Sequence, residues 1–212
     1  MAYVRQGSVD HLVYAVADLD AGIAHIERML GVRAEPGGAH PGRGTHNALL
    51  SLGGGSYLEI IAPDPDQPDP KAPRPFGLDK LRAPRLVTWA VRVSHIEKRV
   101  EQARAAGYDP GDAHPMSRKL PSGAELKWQL TARPEAAASG IVPFLIEWQP
   151  REHPSKTAPR GAQLSDLQAE HPHPGEVNAM LEALGVELTV SESARPALIA
   201  TMEGPNGTVV LT

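Results

Sequence analysis

No cysteine occurs anywhere in the chain. Disulfides, thiolate nucleophiles and thiolate-bound zinc are thereby excluded together, and any metal has to be held by imidazole and carboxylate. Aromatic residues are scarce, 4% of 212 positions with only two phenylalanines, so a core has to be built from aliphatic side chains. No Lys/Arg-rich run stands out, and the formal net charge of -4 is spread with both signs interspersed. The electrostatic footprint of nucleic-acid binding is missing. No apolar stretch approaches the roughly eighteen residues of a membrane span, and the opening MAYVRQGSVD lacks the apolar segment of a signal peptide. The expectation is a cytoplasmic protein with no nucleic acid and no membrane among its partners.

What is present is a pattern that repeats. Val9–Val16 is apolar at nearly every position, rich in β-branched and aromatic residues and broken by Asp10 and His11, as suits a central strand. Asp18 stops it and caps a helix whose Leu19, Ile23, Ile26 and Leu30 share one face, with Gly31 placed for a left-handed end. After a Gly/Pro-rich gap come two strands, Asn47–Leu52 and Tyr57–Ala62, joined by Gly53-Gly54-Gly55-Ser56. Those glycines read as a hairpin turn and not as a phosphate cradle, because no helix follows them. The prolines of Pro63–Pro75 then mark a surface crossover.

The pattern returns at Leu86 and, at the same interval, at Gln163. Leu86–Val93 is an apolar strand, Ser94 and Glu97 form a capping box, and Ile96, Val100 and Ala103 line a helix ending at Gly107. Glu125–Thr131 alternates strictly, Phe144–Gln149 is mostly apolar, and Ala132–Gly140 between them reads as a loop. A second proline-rich connection runs over Pro150–Pro159. The third unit has a weaker strand at Gln163–Ala169, then a helix opened by Pro174, faced by Val177, Leu181 and Leu184 and closed by Gly185. Ala197–Met202 and Thr208–Leu211, turned at Gly204-Pro205-Asn206-Gly207, are its late strands.

Strand-helix-strand-strand-strand units in tandem, with a His in the first strand and a Glu in the last, resemble the vicinal oxygen chelate superfamily, to which glyoxalase I belongs. VDHLVYAVADLDAGI, HPGRGTHNALLSLG, YLEIIAPDP, RPFGLD, RLVTWAVRV and PFLIEW with a later HP are similar to the bacterial glyoxalase-like domain family. The resemblance covers roughly Val9 to Leu184 and implies an α/β (α+β) fold. Its β-α-β-β-β units would form a cupped mixed sheet, with a partial third unit packed on it. One domain over 1–212 is expected, with unit one at 9–63, unit two at 86–150 and the partial unit at 163–212.

Strand parity points the same way. His11, Val13 and Ala15 share one face of their strand, and Leu12, Tyr14 and Val16 the other, which packs under the helix. Tyr57, Glu59 and Ile61 likewise share a face. The resemblance then makes His11, Glu59 and Glu147 the metal ligands, with Glu147 also the catalytic group that moves an α-proton. Aligning the first strands of the two units sets Thr88 where His11 stands, so one of the superfamily's usual four ligands is missing. One imidazole and two carboxylates suit a divalent ion such as Zn, Mn, Ni, Co, Fe or Mg. The competing reading is a hydrogen-bonded core histidine and two carboxylates paired with Arg92 or Arg85, since a buried unpaired carboxylate costs several kcal/mol.

Arg43, His46, Asn47 and Thr88 are the expected substrate-binding residues. Arg43 is a cation between glycines that can meet a carboxylate in bidentate fashion, and either His40 or His46 is a candidate to turn inward as the missing ligand. Trp89, Trp128 and Trp148 are expected in the core, and His153 and the His171-Pro-His173 run at the surface. The function implied is a metal-assisted lyase or isomerase acting on a small substrate with two adjacent oxygens. The alternative is a protein of the same fold that binds or sequesters a small molecule without turning it over. An extradiol oxygenase fits less well, because its triad needs a second His where Thr88 stands. A homodimer is the assembly left open.

Overall fold

The apolar run at the start of unit one becomes β1 (Val9–Ala15), buried along its whole length. The computed structural model describes residues 9–119, 125–132, 137–149 and 153–212. Residues 133–136 of the expected loop and 150–152 of the second proline-rich connection lie outside that range. Asp18 Oδ1 accepts the backbone N–H of Ala21 at 2.8 Å and opens α1 (Leu19–Leu30), which Gly31 ends at a left-handed φ of 78°. β2 (Glu35–His40), β3 (Thr45–Ser51) and β4 (Tyr57–Pro63) follow, the last two joined by the glycine turn. β2 lies inside the Gly/Pro-rich gap. Pro36, Gly37 and Gly38 hide it in the sequence, and the structure tolerates them because β2 is an edge strand with a register shift between Pro36 and Gly38.

Unit two repeats the order with β5 (Arg85–Arg92), α2 (Ile96–Ala105), β6 (Ala113–Lys119), β7 (Glu125–Thr131) and β8 (Phe144–Trp148). The described residues of the two units form one eight-stranded sheet in the order β2-β3-β4-β1-β5-β8-β7-β6. β1 runs parallel to β4 and β5 parallel to β8, while β1 and β5 are antiparallel at the centre. The sheet curls until its edge strands β2 and β6 touch, which makes a nearly closed cup. After the short helix α3 (Pro154–Thr157), β9 (Gln163–His171), α4 (Pro174–Leu184), β10 (Thr189–Glu192), β11 (Ala197–Gly204) and β12 (Gly207–Leu211) form a second, four-stranded sheet.

α1 lies between the two sheets and α2 between the cup and α4, and one continuous apolar core holds them there. Leu12, Tyr14, Leu58 and Ile60 from the convex side of the cup meet Ile23, Ile26 and Leu30 of α1, Val100 of α2, Leu181 of α4 and Leu198 of β11. Trp89 is fully buried in it, with its Nε1 donating to the Ile141 carbonyl at 2.7 Å. Burying each such aliphatic side chain is worth about 1.5–3 kcal/mol.

Two register shifts set what the cup presents. β1 pairs Val9 with Val91 but His11 with Ala90, and Val13 with Thr88 but Tyr14 with Leu86. Asp10 on β1 and Val87 on β5 are the extra residues at these bulges. Val9 and Leu12 both point into the main core, as do Leu86 and Trp89. Asp10 and His11 therefore share the concave side, and so do Val87 and Thr88. The matching bulges place Thr88 at the position of His11, as the sequence alignment of the units implies.

Candidate functional site

The site is built outward from Asp10, a carboxylate with no exposure. Its Oδ1 lies 2.7 Å from His11 Nδ1. Its Oδ2 accepts from Arg92 Nε at 2.8 Å, Trp148 Nε1 at 3.0 Å and His153 Nε2 at 3.0 Å. Burial alone raises its pKa, but the hydrogen bonds from His11 and His153 outweigh it and hold the carboxyl well below the usual carboxylate range. An ionised carboxylate only accepts, so Nδ1 of His11 carries a proton and Nε2 faces the cup. Tyr57 stacks on this ring at 4.7 Å, and Phe144 meets it edge-on.

Glu59 faces that nitrogen. Its Oε2 is 3.7 Å from His11 Nε2 and its Oε1 is 3.7 Å from His40 Nε2. Asn47 Nδ2 donates to Glu59 Oε1 and lies 3.3 Å from His40 Nε2, while Asn47 Oδ1 accepts from Arg118 Nη1 at 3.2 Å. A guanidinium can only donate, so Arg118 fixes which way the amide points. His40 is held below its ordinary pKa first by burial, with Arg118 and Arg43 acting in the same sense and Glu59 opposing them. Burial, together with Asp10 and Glu59, keeps the Tyr57 phenol protonated.

The glyoxalase-like domain family matches residues 9–185 of the chain. The chain belongs to that family. This glyoxalase-like chain is similar in structure to a hypothetical protein from Staphylococcus aureus, at 15% identity and a TM-score of 0.63, over 95% of this chain and 83% of that one. It is also similar to methylmalonyl-CoA epimerase from Mycobacterium tuberculosis, at 24% identity and a TM-score of 0.43, over 71% of this chain and 92% of that one. No curated protein matches its sequence. The strand order of the two glyoxalase-like units, joined through β1 and β5, is that of the vicinal oxygen chelate fold.

Of the residues expected to form the site, the structure brings together His11, Glu59, Asn47 and Thr88 in the cup. Glu147 does not join them. It lies next to Leu145 in parity on the convex face, where its two oxygens accept the backbone N–H groups of His95 at 2.8 Å and Ile96 at 2.9 Å. Glu147 thus caps α2, whose N-cap His95 offers no side-chain bond of its own. This is the role expected of Ser94 and Glu97. The reason is register: Ala90 pairs with Phe144 just as Val13 pairs with Glu59, so Phe144 occupies the second carboxylate's place. With Thr88 in place of one ligand and Phe144 in place of another, the expected three-ligand metal set does not fit. Among the described residues no group of three or more His, Asp or Glu is placed to hold a metal ion.

Other expected positions divide. His40 turns into the cup, whereas His46 faces the other side of β3, 3.9 Å from Asp64. There it lines a pocket of about 500 Å³ with Asp18, Asp20, Gln67 and Arg74. Two charges of that pocket are partnered locally, Asp64 by Gln67 and Arg74 by Asp69 and Asp79. Arg43 is exposed, its Nη2 3.5 Å from Met116 Sδ across the seam between β2 and β6. Arg92 pairs with Asp10 and not with either Glu. His153, expected at the surface, is buried against Asp10, because the chain around α3 folds back over the cup. Asp10 and Arg118 were missed as site residues. For Asp10 a signal existed: two consecutive polar residues inside an apolar strand mark a bulge. None existed for Arg118.

Among the described residues no helix is long and apolar enough to cross a membrane.

Proposed function

We propose that the cup is the active site of an enzyme that moves a proton on carbon next to a carbonyl, in a small substrate with two adjacent oxygens. The observation that carries this reading is the line Asp10–His11–Glu59: an acidified carboxylate 2.7 Å from Nδ1, and Nε2 3.7 Å from a carboxylate oxygen. A carboxylate that orients an imidazole, itself facing a second acid or base, is an arrangement suited to proton transfer. Glu59 Oε1 is occupied by Asn47, which leaves Oε2 as the base. The carbon–hydrogen bond breaks toward Oε2, the electron pair moves onto the carbonyl oxygen as an enolate, and the proton passes to His11 Nε2. The imidazolium so formed is stabilised by Asp10. Return of the proton to the same carbon or to its neighbour gives racemisation, exchange or isomerisation. The scheme routes no step through a metal ion, since the expected ligand Glu147 lies outside the cup.

Pyruvate and butane-2,3-dione are suitable probes, since both carry adjacent oxygens and exchangeable α-protons. In deuterium oxide the wild-type chain is expected to speed deuterium uptake into a probe, followed by proton NMR. Glu59→Gln is expected to lower that rate about a hundredfold or more, the range for loss of a general base. Unchanged exchange in Glu59→Gln would overturn the reading. Probe binding without exchange would leave a protein that sequesters its ligand.

A further inference from the structure

Arg118 is 6% exposed, yet among the described residues it meets no counter-ion of the kind a buried guanidinium requires. Its Nη1 donates to a neutral amide oxygen, Asn47 Oδ1. Both buried carboxylates of the cup are engaged elsewhere: Asp10 with His11, Arg92 and His153, and Glu59 with His11, His40 and Asn47. Among the described residues no Asp or Glu stands within ion-pair distance of Arg118. An unpaired buried charge costs several kcal/mol unless something compensates it.

The position is built, and not a chance of side-chain packing. Arg118 comes from β6 and Asn47 from β3, so they meet across the seam where the cup closes. Gly37 of β2 lies directly against both, and a Cβ there would collide with Asn47 Oδ1 and with Arg118 Nη1 at 2.6 Å. A second guanidinium, Arg43, spans the same seam from the outside to reach Met116. Two arginines at one seam, the inner one held by a neutral amide, leave their remaining N–H groups for an anion.

We propose that Arg118 is the counter-ion site for a carboxylate carried by the ligand, with Arg43 guiding that group in at the seam. This rests on the reading of the cup as an active site and names its substrate class: a small 2-oxo or 2-hydroxy acid, not a neutral dicarbonyl. Asn47 links the two ends of such a ligand, since the amide that orients Glu59 also holds Arg118. Arg118 sets specificity, and the proton is moved on the far side of Asn47.

Binding separates this proposal from the reaction. Calorimetry or ligand-induced shifts in melting temperature are expected to show pyruvate binding to the wild type and butane-2,3-dione binding far more weakly. Arg118→Gln is expected to weaken pyruvate about thirty-fold or more, the low end for losing one partner of a buried charge pair, and to weaken butane-2,3-dione far less. Arg118→Lys keeps the charge and is expected to keep part of the affinity, which covers the case in which Arg118→Gln fails to fold. Glu59→Gln is expected to bind pyruvate at least as well as wild type while losing exchange, so loss of exchange alone counts against the reaction and not against this site. Equal binding of pyruvate by wild type and Arg118→Gln, or equal affinity of the wild type for pyruvate and butane-2,3-dione, would overturn it. Inorganic phosphate binding with no response to pyruvate or lactate would overturn the assignment to a carboxylate.

Discussion

Phe144 packs edge-on against His11, with ring centroids 5.4 Å apart and ring planes at 67°. It does so from the strand position that in unit one belongs to Glu59, so an apolar ring stands where symmetry calls for a carboxylate. Thr88 fills the place of the second imidazole, and the two substitutions together undo the metal set.

Restoring both should restore the chemistry they removed. The double variant Thr88→His with Phe144→Glu is expected to bind Co²⁺ at least about tenfold more tightly than the wild type, as ligand-set changes commonly do. Without metal it should be less stable, because it buries a new carboxylate beside Ala90 and Ile146. Titration followed by the cobalt absorption bands checks this. No gain in affinity would mean that positions 88 and 144 do not converge on His11 and Glu59.

Glu147→Ala should behave as the loss of a helix cap. Two backbone N–H groups at the start of α2 lose their acceptor, for an expected destabilisation of about 1–2 kcal/mol in urea unfolding. Probe binding and deuterium exchange should remain those of the wild type. A large loss of exchange in a variant that stays folded would return Glu147 to the site.

Asp10 makes stability depend on pH in a window that can be stated. Its folded pKa lies below the ordinary 3.8, so the unfolded chain takes up the proton first as pH falls. The stabilisation is fully present above the ordinary value and is lost as pH drops below it toward the folded pKa. Asp10→Asn is expected to cost about 1–3 kcal/mol near neutral pH, since His11, Trp148 and His153 lose a charged acceptor. The difference between the two proteins should shrink in acid. Unfolding curves for both across that range decide it; a constant difference would show that the carboxylate's charge is not what matters.

Gly22→Ala tests how closely α1 sits on the cup. Alanine is the better helix former by about 1 kcal/mol, yet a Cβ at 22 would lie 2.8 Å from Val16 Cγ2 and 3.1 Å from Ile60 Cγ2. Overpacking should win and destabilise by about 1–3 kcal/mol, seen as a lower melting temperature. A rise instead would mean that the helix can lift from the sheet at little cost.

Much of the chain was legible before it folded, because much of it is set by neighbours in sequence. Alternation within β1 and β4 gave the faces of His11 and Glu59, since a period of two needs no partner strand. Asp18, Gly31 and Gly185 marked helix ends through their own backbone and side-chain preferences, and the spacing of the units gave the repeated fold.

What only the tertiary structure decided is whatever depends on register between strands and on closure of the sheet. The face of Glu147 follows from Phe144 pairing with Ala90, and the orientation of Asp10 from one extra residue in a ladder. The sequence of either strand alone contains neither fact. β2 was hidden because edge strands can carry the prolines and glycines that central strands cannot. Arg118 and Asn47, 71 residues apart, meet only because the two edges of the curled sheet come together. His153 reaches Asp10 across 143 residues because the chain around α3 folds back over the cup. Contacts of that range are fixed by how much apolar surface the whole sheet can bury, and no local pattern records them.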